Sequence, residues 1–200
     1  MIEFPPDLEA VVAFHGHLCP GLLIGFRAAQ IGLARLGSKR SEDEELIAIV
    51  ENNSCAVDAV QALTGATFGK GNLFFRDYGK QVFTFALRPS GKGVRVALKA
   101  AAFPPGLSRE ERTQGLLSKR DEELFSIVET TVALPAEAEI RKSVVCEKCG
   151  EQVMETRTRK ISEKVFAYGR KRPQAVPEAT IRTEERTVCI PCAENAKKKS

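Results

Sequence analysis

The stretch His15-Gly16-His17-Leu18-Cys19-Pro20-Gly21 sets two imidazoles and a thiol on alternate positions, and it holds both histidines of the 200-residue chain. Residues at i, i+2 and i+4 of an extended segment share a face, so the spacing predicts three convergent nitrogen and sulfur donors. Such donors suit a divalent transition metal or a redox step. Pro20 fits the first turn of a helix, and the apolar run from Gly21 to Ala29 continues it, which puts Cys19 at or beside the helix start. Free amides and the helix dipole there favour a thiolate, the form that both ligates and attacks. Cys19 and His17 are therefore the candidate catalytic pair, with Cys19 serving as ligand or nucleophile. The plainer reading is that cysteine is often a small core residue and a histidine beside an apolar helix a structural one. The joint spacing, with no other histidine in the chain, weighs toward a site.

A second chemistry lies in Cys146-Glu147-Lys148-Cys149-Gly150 and Cys189-Ile190-Pro191-Cys192. Two Cys-x-x-Cys pairs predict one closed tetrahedral zinc site, structural because no coordination position stays open. A thioredoxin-type redox pair is the rival, but it needs a strand before the motif and a long helix after it, and Cys146 has no such helix behind it. Knuckle, hairpin, then a helix opened by the last ligands is the layout of a treble-clef finger. The long gap between the pairs predicts an ordered excursion around Arg170 to Pro177.

The elements that must position these residues follow from periodicity. Leu8, Val11 and Val12 predict a short amphipathic helix over Asp7 to Phe14, with Asp7 near its cap. A second helix runs from Pro20 to Leu36 and stops at Gly37, its small residues permitting close approach of another backbone. Leu46 to Glu51 reads as a buried strand. Ser54 is the expected N-cap of a helix through Leu63, which sets Cys55 in a first turn and at a strand-to-helix junction where it can meet His17 and Cys19. Thr64 to Leu73 is glycine-rich but lacks the phosphate-loop pattern, and is expected beside the site; Tyr78 and Lys80 are further pocket candidates. Gln81–Leu87 and Gly93–Leu98 predict an antiparallel hairpin. Ser108 opens a capping box, and Asp121 is expected to cap a helix containing Leu124, Phe125, Ile127 and Val128. The boundary falls near Val145, giving a core over residues 1–143 and a finger over 144–200.

No apolar run reaches the ~18 residues a membrane span needs. Met1 to Asp7 carries an acid and prolines in place of a basic segment and apolar run, so a cytoplasmic protein is expected. The net charge of +4 is concentrated beyond Val145 and ends in Lys197-Lys198-Lys199, a solvated tail that makes nucleic-acid binding the weakest reading.

FHGHLCPGLLIGFRAA (Phe14 to Ala29), ENNSCAVDAVQALTG (Glu51 to Gly65), TFGKGNLFFRDYGKQVFTF (Thr67 to Phe85) and the terminal CEKCG…CIPC together resemble the FmdE family of formylmethanofuran dehydrogenase proteins. The resemblance implies an α+β protein: a thioredoxin-like core with a mixed five-stranded sheet and flanking helices, followed by a small treble-clef zinc finger. It implies a core metal site at His17, Cys19 and Cys55 with His15 nearby, and zinc at Cys146, Cys149, Cys189 and Cys192. Two functions compete. One is a metal-dependent redox or one-carbon protein with a second divalent metal, itself zinc or another, in the core. The other is a non-catalytic accessory or metal- and cofactor-delivery protein that docks to a molybdenum or tungsten dehydrogenase. A homodimer is expected from the glycine- and alanine-rich faces.

Overall fold

Leu46-Ile47-Ala48-Ile49-Val50, apolar and largely β-branched, forms the inner strand β1 (Leu46–Val50), buried along its whole length. A computed structural model of the chain describes residues 5–168 and 179–197. It divides into two compact units, Met1–Ala138 and Glu139–Ser200.

In the first unit, α1 (Pro6–His15) and α2 (Pro20–Leu36) precede β1, and α3 (Ala56–Thr64) follows it. Next come β2 (Leu73–Phe75), β3 (Val82–Leu87), β4 (Lys92–Leu98), α4 (Arg109–Ser118), α5 (Asp121–Leu124) and β5 (Phe125–Thr131). The strands make one mixed sheet in the order β2-β1-β3-β4-β5, with only β1 and β2 parallel. Register aligns Leu73, Ala48, Phe85 and Val94 in a row across four strands. All four belong to one core with Leu22, Phe26 and Ala29 of α2. Phe83 and Phe85 are fully buried, each worth roughly 1.5–3 kcal/mol of apolar transfer.

The small residues of α2 are used as the sequence predicts. A Cβ on Gly25 would lie 2.0 Å from the carbonyl oxygen of Ala56, so α2 and the start of α3 meet backbone to backbone. Arg27 ties α2 to the α4–α5 region: it donates to Asp121 Oδ1 (2.5 and 3.1 Å) and to the carbonyls of Leu116 and Lys119.

Two local expectations are corrected. Phe125, Ile127 and Val128 lie in β5, not in a helix, and α5 ends at Leu124 with Arg120 as its N-cap. Branched residues and threonines favour the extended state, and β5 pairs with the edge of β4 from Lys92 to Leu98. At the start of α3 the N-cap is Cys55, one residue beyond Ser54, whose hydroxyl turns back to Asn52 Oδ1 at 2.7 Å. The capping box at Ser108 and Glu111 and the stop at Gly37 form as expected.

In the second unit, β6 (Ser143–Val145) and β7 (Gln152–Met154) make a hairpin whose turn carries Cys146 and Cys149. The longer strands β8 (Thr158–Tyr168) and β9 (Ala179–Cys189) pair antiparallel, and α6 (Ile190–Lys197) follows directly from Cys189. The excursion expected around Arg170 to Pro177 lies outside the described residues.

Candidate metal centre

The core site assembles where three helix ends meet. α1 ends at His15, and Gly16 caps it with its N–H on the carbonyl of Val12 (2.7 Å). His15 is thus helical, not part of one extended run, and the chain turns before His17 and Cys19. The donors converge all the same: ligand atoms of His15, His17 and Cys19 lie within 4.8 Å of one another. The two imidazole rings stand 4.7 Å apart at 37°. Cys19 is the N-cap of α2 in extended conformation, and its Sγ accepts the Leu22 N–H at 3.3 Å. Sequence reasoning placed this helix start correctly, and Cys19 caps it through its sulfur.

α3 supplies the opposite wall. Asn52, buried at the end of β1, accepts from Ser54 N–H (3.1 Å) and donates to the Lys80 carbonyl (2.7 Å), which shapes the turn into Cys55. Lys80 therefore passes this end of the sheet through its backbone, while the Lys80 and Tyr78 side chains are exposed. Cys55 lies outside the compact triad but beside it. A Cβ on Gly21 would sit 3.3 Å from Cys55 Cβ and 3.9 Å from the sulfurs of both Cys19 and Cys55. Burial, then the hydrogen bond and charge of Cys19, push the Cys55 thiol upward.

Asp58, three residues beyond Cys55 on the same helical face, was not singled out by sequence. Its Oδ2 lies 2.7 Å from His15 Nδ1. The Cys-x-x-Asp spacing at a helix start was the available signal. His15 Nε2 is buried with no hydrogen-bond partner. An unpaired buried ring nitrogen forfeits roughly 1–3 kcal/mol, so this atom fits a metal ligand better than a packing group.

The glycine-rich segment is not beside this site. Nine residues of α3 carry the chain about 13 Å away, and Lys70 Nζ instead donates to the carbonyls of Ser41, Glu42 and Asp43 at 3.1–3.3 Å.

In the second unit the donor atoms of Cys146, Cys149, Cys189 and Cys192 also lie within 4.8 Å of one another. Cys149 Sγ and Cys189 Sγ are 3.9 Å apart, and the Cys189 N–H donates to Cys146 Sγ at 3.2 Å. Backbone N–H groups of Cys149 and Cys189 lower the Cys146 thiol to about 6. Cys192 is pushed up to about 12, first by its hydrogen bond with Cys189 and then by burial. Val188 and Ala193 are buried in one cluster with Cys146 and Cys189.

The fold and donors define a two-unit α+β protein with two Cys/His groups able to hold metal. Residues 14–168 match the family model described as FmdE, Molybdenum formylmethanofuran dehydrogenase operon, and the chain belongs to that family. A curated relative from Archaeoglobus fulgidus, named a probable S-adenosyl-L-methionine-binding protein, is 32% identical over 176 residues, covering 73% of this chain and 48% of its own. The chain thus spans about half the length of that relative. A crystal structure of a tungsten formylmethanofuran dehydrogenase FmdE-like protein from Syntrophus aciditrophicus superimposes with a TM-score of 0.60 at 27% identity, covering 74% of this chain and 84% of that one. Among the described residues no helix is long and apolar enough to cross a membrane.

Proposed function

We propose that the protein is a cytoplasmic metal-binding protein of redox or one-carbon metabolism, with a divalent metal held in the core by His15, His17 and Cys19 and with Cys55 at its edge. The observation that carries this is the buried, unpartnered Nε2 of His15, in a group whose three donors already lie within 4.8 Å. His17 is exposed while Cys19 is buried, so the group opens on one side. When bound, the metal would supply Lewis-acid or redox chemistry. In this reading His17 and Cys19 would hold it toward a substrate, which the exposure of His17 supports. The four-cysteine group is read as a structural zinc site in a treble-clef finger, supported by its amide-lined turn and the helix that begins after Cys189. The parallel β1–α3–β2 step with antiparallel strands added beside it supports a thioredoxin-like core.

A second reading is an accessory protein that docks to, or delivers metal to, a molybdenum or tungsten dehydrogenase. It is favoured by the family's description and by the name of the Syntrophus protein. The name of the Archaeoglobus relative adds S-adenosyl-L-methionine as a ligand to try, and a homodimer is the assembly expected for either reading.

Elemental analysis of anaerobically purified wild type beside Cys19→Ala and Cys146→Ala tests the proposal. Two metals per chain are expected, one lost in each variant. A single metal that disappears only with Cys146→Ala would sink the core-metal reading. With the core metal in place, turnover of a one-carbon substrate favours the first function, and transfer of the metal to an apo-dehydrogenase without turnover favours the second.

A further inference from the structure

We infer that Asp58 is the positioning residue of the core site: it holds the N–H of His15 Nδ1 and so leaves Nε2 as the nitrogen that serves the metal. The inference rests on the core-metal reading above and assigns a residue outside the donor set. Three observations carry it. The Asp58 Oδ2 to His15 Nδ1 distance is 2.7 Å. An ionised carboxylate only accepts, so a neutral imidazole facing it carries its proton on Nδ1 and a lone pair on Nε2. That same Nε2 is buried and unpartnered, which suits a nitrogen whose lone pair is kept for an ion.

The geometry also explains why the residue comes from α3. His15 ends α1 with the His17 ring 4.7 Å away, and the side chain that meets its Nδ1 comes from another helix. Asp58, in the first turn of α3, reaches across and joins the helix that carries Cys55 to the one that carries His15. A carboxylate behind a metal-bound imidazole fixes ring orientation and raises ligand basicity, an arrangement whose loss typically weakens metal binding about 10–100-fold. A carboxylate that merely complements the α3 dipole would have no need of the histidine.

The test uses the full chain as wild type, Asp58→Ala, Asp58→Asn and His15→Ala. Nitrogen-15 spectra of the metal-free, histidine-labelled proteins read the tautomer, and cobalt(II) titration reads core affinity, with the four-cysteine site as internal reference. Wild type is expected to show protonated Nδ1 and bare Nε2. Asp58→Ala is expected to mix the tautomers and to bind core cobalt about 10–100-fold more weakly with finger cobalt unchanged. Asp58→Asn, a neutral and weaker acceptor of the same shape, falls between, and it carries the test if the alanine variant does not fold. A histidine spectrum and core cobalt affinity equal to wild type in the folded variant overturn the assignment. Undiminished core affinity in His15→Ala removes His15 from the metal reading itself, and the role given to Asp58 goes with it. Loss of core cobalt in His15→Ala but not in Asp58→Ala leaves the metal reading standing and sinks only this inference.

Discussion

Cys146 and Cys192 are the same side chain in opposite electrostatic surroundings. Backbone N–H groups of Cys149 and Cys189 hold Cys146 at about 6, while Cys192, among other sulfurs, is pushed up to about 12. A lowered thiol favours the folded, metal-free second unit above the ordinary thiol range, and that contribution disappears as pH falls through about 6. At neutral pH, a metal ion entering the four-cysteine group would therefore displace a proton from Cys192 but none from Cys146. Between about pH 7 and about pH 5 the protons released on zinc binding should rise by about one, and affinity should fall about tenfold per unit more steeply. Calorimetry in buffers of differing ionisation enthalpy measures the count. A flat count over that interval would show that Cys146 does not sit in an amide cradle before the metal arrives.

At the scale of elements, the contact of α2 with α3 is the tightest constraint on the core site, because both helices carry a cysteine at their N-cap. Gly25→Ala would force a methyl into the Ala56 carbonyl. The expected cost is about 1–3 kcal/mol, seen as a lowered unfolding temperature. An unchanged melting curve would mean that the two helices separate freely. Periodicity and caps made α1, α2, α3, β1, β3 and β4 legible in the sequence, since each is a local pattern with its own stop signal. β5 was not legible: Leu124, Phe125, Ile127 and Val128 also fit helical spacing, and only pairing with β4 decides against it. In the site, Cys19 and its neighbours could be read from spacing. The bend at Gly16 could not, because the i, i+2, i+4 spacing of His15, His17 and Cys19 reads as one extended run, and the left-handed turn at Gly16 that breaks it leaves no side-chain pattern. Asp58 stayed hidden because a carboxylate in a first helical turn has an ordinary explanation, and its partner lies 43 residues away.

At the scale of the molecule, the two units are built on different principles. Met1–Ala138 has a five-stranded sheet and a buried apolar core, whereas Glu139–Ser200 gathers its buried residues around four sulfurs. Small units of the second kind draw their folding free energy from metal. A strong chelator should therefore unfold the second unit and leave the first with its sheet and a separate thermal transition. Circular dichroism during chelation, followed by heating, measures this. Loss of the whole signal in one step would show that the first unit also depends on metal for its fold.

His15, Cys19 and the pair Cys55 and Asp58 belong to the ends of three different helices, and α1 is the outermost of these, packed on α3 and α2. An ion held by His15, His17 and Cys19 would tie the end of α1 to the start of α2, with α3 joined through the contact of Asp58 with His15. By reciprocity, the free energy that occupancy adds to the docking of α1 equals the free energy that holding α1 in place adds to occupancy. The docking of α1, whose Phe14 is exposed next to His15, would then be coupled to whether the cluster is filled.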